Sequence, residues 1–372
     1  MPPSFQLAHA SHPQLDQLLE ACAQQLTAPF DQSLGFIYIT DDLHDQLQDI
    51  VNYLKGHTSI SHWVGTVGMG IIGGDKEYYG EPAIAVMLAD IDENDFALLP
   101  ALNNTLLPFI TDVESWCKDN NVSSGVLHGD PNNTAIQSLL TELTERTPTT
   151  QYIGGLSSSR GLYPQMSDAL TSGGLSGILF SENVPVITSL SQGCTAITDA
   201  YNVTQSERNL LVTLNQEPAL DVFKAAIGDV LSRDLKRAAG YIFAGIVNDP
   251  DNPDDYQVRN IIGADNEHKL LALGDLVDSE HQVLFCRRDG NTAQQDMQRM
   301  LDKLKQQLST TPRGGVYISC MGRGKNQFGD NSEEVAMIKN TLGDFPLVGF
   351  YANGEIYHHN IYAFTGVLML FI

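Results

Sequence analysis

A thiol and a guanidinium lie three residues apart near the C-terminus, within Gly314–Gly324 (GGVYISCMGRG). The β-branched and aromatic residues before them predict a strand, so Cys320 and Arg323 lie at its end or in the following loop. A nucleophilic cysteine needs a nearby base and a lowered thiol pKa. No histidine is close to Cys320 in the sequence, so we interpret this thiol as a buried structural group. An enzyme that uses Cys320 is the least favoured of three functional hypotheses.

Arg323 lies between two glycines at a predicted strand end. A guanidinium carries a planar fork of N–H donors that fits a carboxylate. Arg160 has a comparable place in the chain, between Ser159 and Gly161. We therefore predict that Arg323 and Arg160 bind an acidic group of a ligand.

Ten histidines are spread over the chain, and none lies in an HExxH motif of a metal site. His358 and His359 are adjacent. Neighbouring residues of a strand face opposite sides, so this pair is not expected to hold one metal ion. A haem iron needs only one proximal imidazole in an apolar cleft. The sequence leaves His358 open as such a ligand.

The run Gly68–Gly73 (GMGIIG) has the GxGxxG spacing of dinucleotide-binding loops. That chemistry needs a helix directly after the run, because the helix N-terminus holds the pyrophosphate. The residues that follow, Gly74–Pro82, predict a turn and then another strand. We reject a dinucleotide site for this reason.

The composition is that of a soluble globular protein of 372 residues, with 42% hydrophobic residues. There are 21 basic and 45 acidic residues, and the net charge of −24 argues against nucleic acid as a partner. Five scattered cysteines without a CxxC pair indicate neither a disulfide framework nor a zinc site. We find no signal peptide and no apolar segment long enough to insert into a membrane, so a cytoplasmic location is expected.

One order of elements, strand–helix–strand–strand, is predicted three times. The first copy is predicted at Phe36–Thr40, Asp42–Lys55, Trp63–Ile72 and Ala83–Ala89. The second copy is predicted at Gly125–His128, Thr134–Glu145, Tyr152–Gly155 and Leu175–Phe180. The third copy is predicted at Val316–Cys320, Ser332–Leu342, Leu347–Ile356 and Thr365–Phe371. The middle strand of each copy has a glycine after an apolar residue, at Gly65, Gly154 and Gly349. A glycine that recurs there predicts a bend or a close backbone approach.

Residues 240–310 form a fourth block with a different order. Its strands are predicted at Tyr241–Val247, Tyr256–Gly263, Leu270–Leu273 and Gln282–Arg287, and helices at Glu217–Arg237 and Thr292–Leu308. The acidic segment Asn248–Asp255 is interpreted as a solvated turn rather than a calcium loop. Short strands in mixed order favour an α+β fold of mixed, largely antiparallel sheets flanked by helices and built from repeated βαββ units.

The motifs of the C-terminal region together resemble a FIST domain. They are Ser319-Cys320-x-Gly-Arg-Gly, Val348-Gly349-Phe350 and Gly354-Glu355-Ile356, with earlier marks at Tyr256–Gly263 and Arg288-Asp289. The resemblance covers almost the whole chain. It divides the chain into a helical lead-in (residues 1–34), a FIST N-like domain (35–213) and a FIST C-like domain (214–372).

The resemblance implies a stand-alone sensory protein that binds a small ligand and signals to a partner protein. One bacterial branch of the family is similar to haem-binding nitric oxide sensors that act on a histidine kinase, and Trp63–Gly70 and Gly354–His358 resemble that branch. This implies haem as cofactor, with His358 on the iron. The ligand-binding residues would be Arg323, Arg160, Gly349, Phe350, Gly354 and Glu355. The alternative is a haem-free receptor for an amino acid or another small carboxylate, gripped by Arg323.

Overall fold

The computed structural model describes residues 5–28, 32–58, 60–232, 235–238, 240–248, 250, 256–288 and 290–372. The chain forms two compact units. Unit 1 is Met1–Ser191 with Met297–Ile372, and unit 2 is Gln192–Asp296. The boundary predicted between residues 213 and 214 lies inside unit 2. Most of the predicted acidic turn (249 and 251–255) and residue 289 lie outside the described residues.

Unit 1 repeats one pattern of strands and helices three times. The first copy is β1 (Gln6–Ser11), α1 (Leu15–Ala23), β2 (Leu34–Thr40), α2 (Leu47–Thr58), β3 (His62–Gly68), β4 (Gly70–Gly73), β5 (Lys76–Tyr79) and β6 (Ala83–Ala89). The second copy is β7 (Phe96–Leu102), α3 (Leu107–Asp112), α4 (Glu114–Asp119), β8 (Val122–Gly129), α5 (Ile136–Arg146), β9 (Gln151–Leu156), β10 (Gln165–Ser167), β11 (Ala169–Thr171) and β12 (Leu175–Ser181). The third copy begins with β13 (Val186–Gln192).

Unit 2 follows β13 in the chain, and the third copy then resumes. The elements of the intervening chain are β14 (Cys194–Ala196), β15 (Tyr201–Glu207), β16 (Leu210–Leu214), β17 (Glu217–Pro218), α6 (Ala219–Ser232), α7 (Leu235–Ala238), β18 (Ile242–Val247), β19 (Tyr256–Arg259), β20 (Ile261–Asp265), β21 (Leu270–Leu273) and β22 (Gln282–Arg288). The rest of the third copy is α8 (Gly290–Gln307), β23 (Gly314–Cys320), α9 (Glu333–Leu342), β24 (Leu347–Ala352), β25 (Glu355–Tyr357), β26 (Asn360–Tyr362) and β27 (Thr365–Phe371).

The predicted βαββ unit is confirmed in each copy. A central strand pairs in parallel with the strand after its helix and antiparallel with the last strand of the copy. The central strand is β2 with partners β3 and β6, β8 with partners β9 and β12, and β23 with partners β24 and β27. Each copy therefore forms a mixed sheet, and the α+β fold class predicted from the sequence is confirmed.

The three copies exchange their hairpins in a cycle. Hairpin β4–β5 of the first copy joins β24 of the third, hairpin β25–β26 of the third joins β9 of the second, and hairpin β10–β11 of the second joins β3 of the first. The three six-stranded sheets are sheet 1 (β1-β6-β2-β3-β10-β11), sheet 2 (β7-β12-β8-β9-β25-β26) and sheet 3 (β13-β27-β23-β24-β4-β5). Each sheet has four strands of one copy and two of another.

This exchange corrects two predicted strands. Trp63–Ile72 and Leu347–Ile356 were predicted as continuous strands, and both are wrong, because each divides between two sheets. The first breaks after Gly68, where an added Cβ would lie 2.5 Å from the Gly70 carbonyl oxygen. The second breaks before Glu355, at a Gly354 with φ of 138°, a conformation that favours glycine.

The recurring glycine of the middle strand marks a close backbone approach, as predicted. Each glycine lies opposite a residue of the parallel central strand, in the pairs Ile37–Gly65, Leu127–Gly154 and Tyr317–Gly349. A Cβ on these glycines would lie 1.7, 2.1 and 1.7 Å from the opposing carbonyl oxygen, respectively. Any side chain there would force the paired strands apart.

The three sheets share one core. Their inner faces meet in a buried cluster to which all three copies contribute, for example through Phe36, Val126 and Phe350. The outer faces of sheets 1 and 2 are covered by α1–α2 and α3–α5, with separate buried clusters between sheet and helix. The apolar side chains of each central strand are therefore removed from water on both sides.

Unit 2 contains a nine-stranded sheet with the main order β19-β18-β22-β15-β16-β21-β20. Its core includes Phe223 of α6 and Phe285 of β22. The predicted strand Tyr256–Gly263 is divided into β19 and β20, and Gly228 (φ of 75°) interrupts the helix predicted at Glu217–Arg237. No described helix in either unit is both long and apolar enough to cross a membrane.

Candidate functional site

The three copies of unit 1 are tied together where their parallel strands end. Ser158, directly after the second copy's Ser157, is 1% exposed. Its Oγ accepts a hydrogen bond from the Met69 N–H of the first copy (2.8 Å) and donates one to the Tyr351 carbonyl of the third. We call this end of unit 1 the apex. Carboxyl ends of parallel strands are common places for binding sites in α/β sheets, and Arg323 lies at this end of sheet 3.

Arg323 is a buried guanidinium at the apex. It follows β23, and none of its surface is exposed. Its Nε donates to Oε1 of Glu334, in the first turn of α9, over 2.8 Å. A buried charge needs a partner of opposite sign and further hydrogen bonds, because the energetic cost of removing both ions from water is large. The carboxylate that Arg323 meets in this structure therefore belongs to the chain itself.

Glu334 is saturated with donors. Its Oε1 accepts from Tyr317 Oη (2.7 Å) and Ser319 Oγ (2.9 Å) in addition to Arg323, and its Oε2 accepts from the Gly324 N–H (2.8 Å). Glu334, Tyr317 and Ser319 are all fully buried. Four donors hold this carboxylate, so the charge of Glu334 is well compensated.

The far end of the Arg323 guanidinium is bound much less well. Nη1 and Nη2 make contacts of 3.3 to 3.4 Å with the carbonyl and hydroxyl of Ser191 and the hydroxyl of Tyr317, and Nη2 lies 3.7 Å from Met297 Sδ. The Phe328 ring centroid is 5.0 Å from Cζ. Charged N–H···O bonds are normally 2.7 to 2.9 Å long, so these donors are weakly used. The fork formed by Nη1 and Nη2 keeps capacity for a carboxylate.

A second buried glutamate reaches this cluster from the exchanged hairpin. Glu77 of β5 accepts from Tyr79 Oη (2.9 Å) and from the Val335 N–H of α9 (3.2 Å). Tyr79 also covers the turn after Arg323, since a Cβ on Gly324 would lie 1.9 Å from its Oη. Burial and the neighbouring charge of Glu334 raise the pKa of Glu77 to about 7. Hairpin β4–β5 thus closes the site and is tied to α9.

A third carboxyl group, that of Glu355, lies where β25 begins. Its Oε2 accepts from the Thr365 N–H (3.0 Å) and Oγ1 (2.8 Å) at the start of β27. Its Oε1 has no hydrogen-bond partner among the described residues, and the Cys320 thiol lies beside the carboxyl group. Burial raises the pKa of Glu355 to about 8, although Thr365 and Arg323 act in the opposite direction. Glu355 is therefore mostly protonated at neutral pH.

Cys320 is a thiol with a raised pKa. Burial and the Glu355 carboxyl group outweigh the lowering effects of the Gly322 and Phe364 backbone N–H groups and of Arg323. The resting thiol is therefore protonated, and it is a poor nucleophile unless a neighbouring base removes its proton. The sequence did not reveal the carboxyl group beside it, because Glu355 is 35 residues further along the chain.

Arg160 has a different setting. Its side chain is 62% exposed and forms a fork with Asp41, through Nε (2.6 Å) and Nη2 (3.0 Å), with a further bond to Asp42 (3.1 Å). Asp41 itself is nearly buried. Although burial opposes it, Arg160 holds the pKa of Asp41 below its usual value. The bidentate carboxylate position on Arg160 is therefore already filled by Asp41.

Gly349 and Phe350 lie on β24, and the Phe350 side chain belongs to the shared core. Gly349 allows the close approach to Tyr317. The Phe350 ring stacks on Tyr38 (centroids 5.3 Å apart) and lies 5.8 Å from the ring of His128. Tyr38 Oη is 3.2 Å from His128 Nε2, and burial lowers the pKa of His128 to about 3. Phe350 is thus a packing residue between copies in this structure, and Gly354 is the turn that directs Glu355 into the cluster.

His358 lies in a turn and not in a strand, so the strand alternation used to argue about the pair His358–His359 does not apply. Its φ is 54°, its N–H donates to the Tyr152 carbonyl (2.8 Å), and its ring contacts that of Tyr357. The turn joins β25 to β26, the end strand of sheet 2. A porphyrin needs an apolar cleft around its proximal imidazole. The partly exposed turn that carries His358 lies at a sheet edge and does not fit a haem.

The described residues contain no metal-binding cluster, and a surface cleft lies away from the residues predicted to bind a ligand. No group of three His, Cys, Asp or Glu side chains in the described part of the chain is arranged to hold a metal ion. A surface cleft of about 550 Å³ opens beside α4 and the start of β8, lined by Glu114, Cys117 and Arg146 among others. It does not include any of the residues predicted to bind a ligand.

Glu334, Glu77 and Thr365 were not among the sequence-predicted site residues. Glu334 comes eleven residues after Arg323 in a predicted helix, and its acidic type was the only available signal. Glu77 belongs to a hairpin that reaches the site only through the exchange. The structure brings together Arg323 and Glu355, whereas Arg160 and His358 lie at separate positions.

At the apex of sheet 3, the buried Arg323 guanidinium makes only long hydrogen bonds through Nη1 and Nη2, and such donors can bind an anion.

Comparison with family models identifies the family of this chain. The FIST N domain model matches residues 33–217 and the FIST C domain model matches residues 219–358. The chain therefore belongs to the FIST family, whose domains are associated with sensory signal transduction and ligand binding. The division between the two models falls within unit 2.

Bacterial proteins resemble this chain over most of its length. The uncharacterized protein Rv0628c of Mycobacterium tuberculosis is 28% identical over 346 residues, which is 88% of each chain. The uncharacterized protein Mb0898c of Mycobacterium bovis is 28% identical over 347 residues, which is 88% of this chain and 87% of its own.

Proposed function

We propose that this protein is a haem-free sensor that binds a small carboxylate, such as an amino acid, at Arg323 and signals to a partner protein. The observation that supports it is the state of the guanidinium. Arg323 is fully buried, and its Nη1 and Nη2 make only long hydrogen bonds. A buried ion pair is a weak source of stability, so its presence is better explained by recognition than by folding.

Ligand binding would change the partners of Arg323. A ligand carboxylate that accepts from Nη1 and Nη2 forms a bidentate pair and competes with Glu334 for the positive charge. Glu334 lies in the first turn of α9, and the Val335 N–H of the same turn donates to Glu77. Weakening the Arg323–Glu334 pair therefore loosens both α9 and hairpin β4–β5.

The hairpin also controls entry. Arg323 has no exposed surface, so a ligand reaches it only when a covering element moves. Tyr79 lies over Gly324, and β5 is one of the two end strands of sheet 3, so hairpin β4–β5 can leave the sheet by breaking only its pairing with β24. A ligand that binds only the open state shifts the population toward it. A histidine kinase or another signalling protein would read that state.

The experiment is a thermal-shift screen of the purified protein against amino acids and small mono- and dicarboxylic acids, followed by calorimetric titration of each compound that raises the melting temperature. Arg323→Lys retains the charge but removes the fork, so we expect at least a tenfold loss of affinity. Arg160→Lys is the matched control. We expect it to leave the affinity unchanged, because Asp41 already fills that fork.

The results that would contradict the proposal are specific. Equal losses in Arg323→Lys and Arg160→Lys would move the site away from Arg323. Binding that survives Arg323→Lys in a folded protein would reject Arg323 as the carboxylate group. Circular dichroism of each variant separates loss of binding from loss of folding.

A haem-based nitric oxide sensor with His358 on the iron remains a prediction from the family resemblance. An absorption spectrum of the protein purified with haem supplied checks it. A Soret band that shifts in His358→Ala would support haem and reject the haem-free proposal. Absence of a band in haem-supplied protein would reject the haem hypothesis.

A further inference from the structure

Cys320 differs in surroundings from the other four cysteines of the chain. All five are free and buried. Cys320 is 9% exposed, whereas Cys117 and Cys194 are 4% exposed and Cys22 and Cys286 are not exposed at all. Cys320 ends β23 at the apex, and its loop neighbours Met321 and Gly322 are partly exposed. It thus has the largest exposed fraction of the five cysteines, and it lies at the end of unit 1 where Arg323 lies.

Three backbone segments converge on the Cys320 sulfur. The β23–β27 register pairs Ser319 with Gly366, so the next residue, Cys320, lies beside Thr365. Thr365 in turn holds Oε2 of Glu355. The backbone N–H groups of Gly322 and Phe364 point at the sulfur. Phe364 has φ of 64°, an unfavourable conformation for a bulky side chain, and this turn is where that N–H is presented.

Glu355 has one carboxyl oxygen to spare. The residue is fully buried, Oε2 is occupied by Thr365, and Oε1 accepts no hydrogen bond from nitrogen or oxygen in the described part of the chain. The Cys320 thiol lies beside the same carboxyl group, because Cys320 neighbours Thr365 and Thr365 binds Glu355. A buried carboxyl oxygen without a partner is costly, so a position beside a thiol suggests that it handles the thiol proton.

We propose that Cys320 is an oxidation site for hydrogen peroxide, with Glu355 as the proton acceptor. The thiol proton passes to the Glu355 carboxylate as the sulfur attacks one peroxide oxygen. The S–O bond forms and the O–O bond breaks. The departing hydroxide takes a proton from Glu355, so that thiol and peroxide give sulfenic acid and water. Sulfur is oxidised, peroxide is reduced, and Glu355 returns to its starting state.

The surroundings suit the charges that develop. The Gly322 and Phe364 N–H groups stabilise negative charge on sulfur, and Arg323 is the cation facing both Cys320 and Glu355. At rest the thiol is protonated, so the site reacts slowly unless the proton is removed within the pair. With only 9% of Cys320 exposed, small uncharged reagents are favoured over bulky ones. This inference is independent of the carboxylate site, since it needs no ligand on Arg323.

The experiment exposes the native full-length protein to hydrogen peroxide in the presence of dimedone, which traps sulfenic acid. Mass spectrometry of the peptides then reports the five cysteines separately. We expect Cys320 to be trapped at least ten times faster than Cys22, Cys194 and Cys286. Because the pKa of Glu355 is about 8, the Cys320 rate should rise with an inflection near that pH.

Glu355→Gln removes the proton acceptor and should reduce the Cys320 rate at least tenfold and abolish the inflection. Thr365→Ala is a milder second variant. Thr365 lowers the pKa of Glu355, so its removal should move the inflection to higher pH. Glu114→Gln is the matched control, because Glu114 is likewise a glutamate whose charge raises the pKa of a neighbouring cysteine, Cys117. It should leave Cys320 unchanged.

Two outcomes would overturn the proposal. One is trapping of Cys320 no faster than of the fully buried cysteines. The other is an unchanged Cys320 rate in folded Glu355→Gln, judged by native circular dichroism and by unaltered rates at the other four cysteines. If Glu355→Gln does not fold, a Thr365→Ala profile identical to that of the native protein is the result that overturns it.

Discussion

Arg323 and Arg160 show how differently one kind of ion pair can be used within one molecule. Both follow strand ends at the apex, and both contact a carboxylate that is nearly or fully buried. Arg160 is 62% exposed and grips Asp41 with its fork, while Arg323 is unexposed and reaches Glu334 through Nε alone. Arg160 therefore uses the bidentate geometry of its guanidinium on Asp41, whereas Arg323 does not use it on Glu334.

This difference distinguishes a structural ion pair at Arg160 from the proposed binding site at Arg323. Exposed ion pairs contribute little to stability, because solvent screens them and side-chain entropy opposes them. A buried pair is sensitive to the loss of either partner, since the charge that remains has no water to solvate it.

Glu334→Gln should destabilise unit 1 by about 3 to 5 kcal/mol, because it leaves the buried Arg323 charge without a counter-ion. Arg160→Met should change stability far less. Urea unfolding followed by circular dichroism measures both. Equal changes in the two variants would show that burial does not distinguish the pairs.

Glu77→Gln should make the protein more stable than the native chain above pH 7. The pKa of Glu77 is raised from 4.5 to about 7 in the folded state, so the stabilising proton is lost as pH rises through that range. Between pH 4.5 and 8, the free energy of unfolding of the native protein should therefore decrease relative to that of the variant by on the order of 2 to 3 kcal/mol. Parallel urea titrations across this range give the difference, and two superimposable pH profiles would contradict it.

Tyr317→Phe should cost about 1.5 to 3 kcal/mol, the usual range for a hydrogen bond to a charged group. It removes one of the three donors to Glu334 Oε1. We expect tighter binding of a carboxylate ligand as well, since the 3.4 Å contact between Arg323 Nη2 and Tyr317 Oη is lost and Nη2 becomes available to the ligand. Unfolding and calorimetric titration of the same preparation test both statements. Lower stability together with weaker ligand binding would argue against a ligand position on Nη2.

Salt should produce the smallest effect and should act on Arg160 alone. Raising the salt concentration from 0.05 to about 1 M shortens the screening length to about 3 Å. The stability difference between the native protein and Arg160→Met should shrink with added salt. The difference between the native protein and Glu334→Gln should stay constant, and a salt-dependent Glu334 effect would show that the buried pair is open to water.

The sequence predicts local structure at the apex well and its partners poorly. The three βαββ copies and the close approach at Gly65, Gly154 and Gly349 follow from patterns of a few residues, because strand alternation and glycine sterics are local. The hairpin exchange does not follow. A strand such as β4 has the same pattern whichever sheet it joins, so Trp63–Ile72 was interpreted as continuous.

The same limit applies to the site. Arg323 was predicted as a carboxylate-binding residue from its position at a strand end, but its partner Glu334 depends on how α9 packs, which no short motif reports. Glu77 and Glu355 reach the cluster through hairpins that leave their own copies. The placement of His358 in a turn reflects the two short strands around it, which the sequence does not distinguish from one longer strand.

Because the three copies exchange hairpins, their sheets are completed at different times during synthesis of the chain. Sheet 1 has all its strands once residue 171 is synthesised, but sheet 2 waits for residues 355–362 and sheet 3 for residues 365–371. An amino-terminal fragment would contain β9 without its partner β25, and hairpin β4–β5 without its partner β24. Unpaired strand edges favour pairing between molecules, so truncated versions of this protein should aggregate or swap strands.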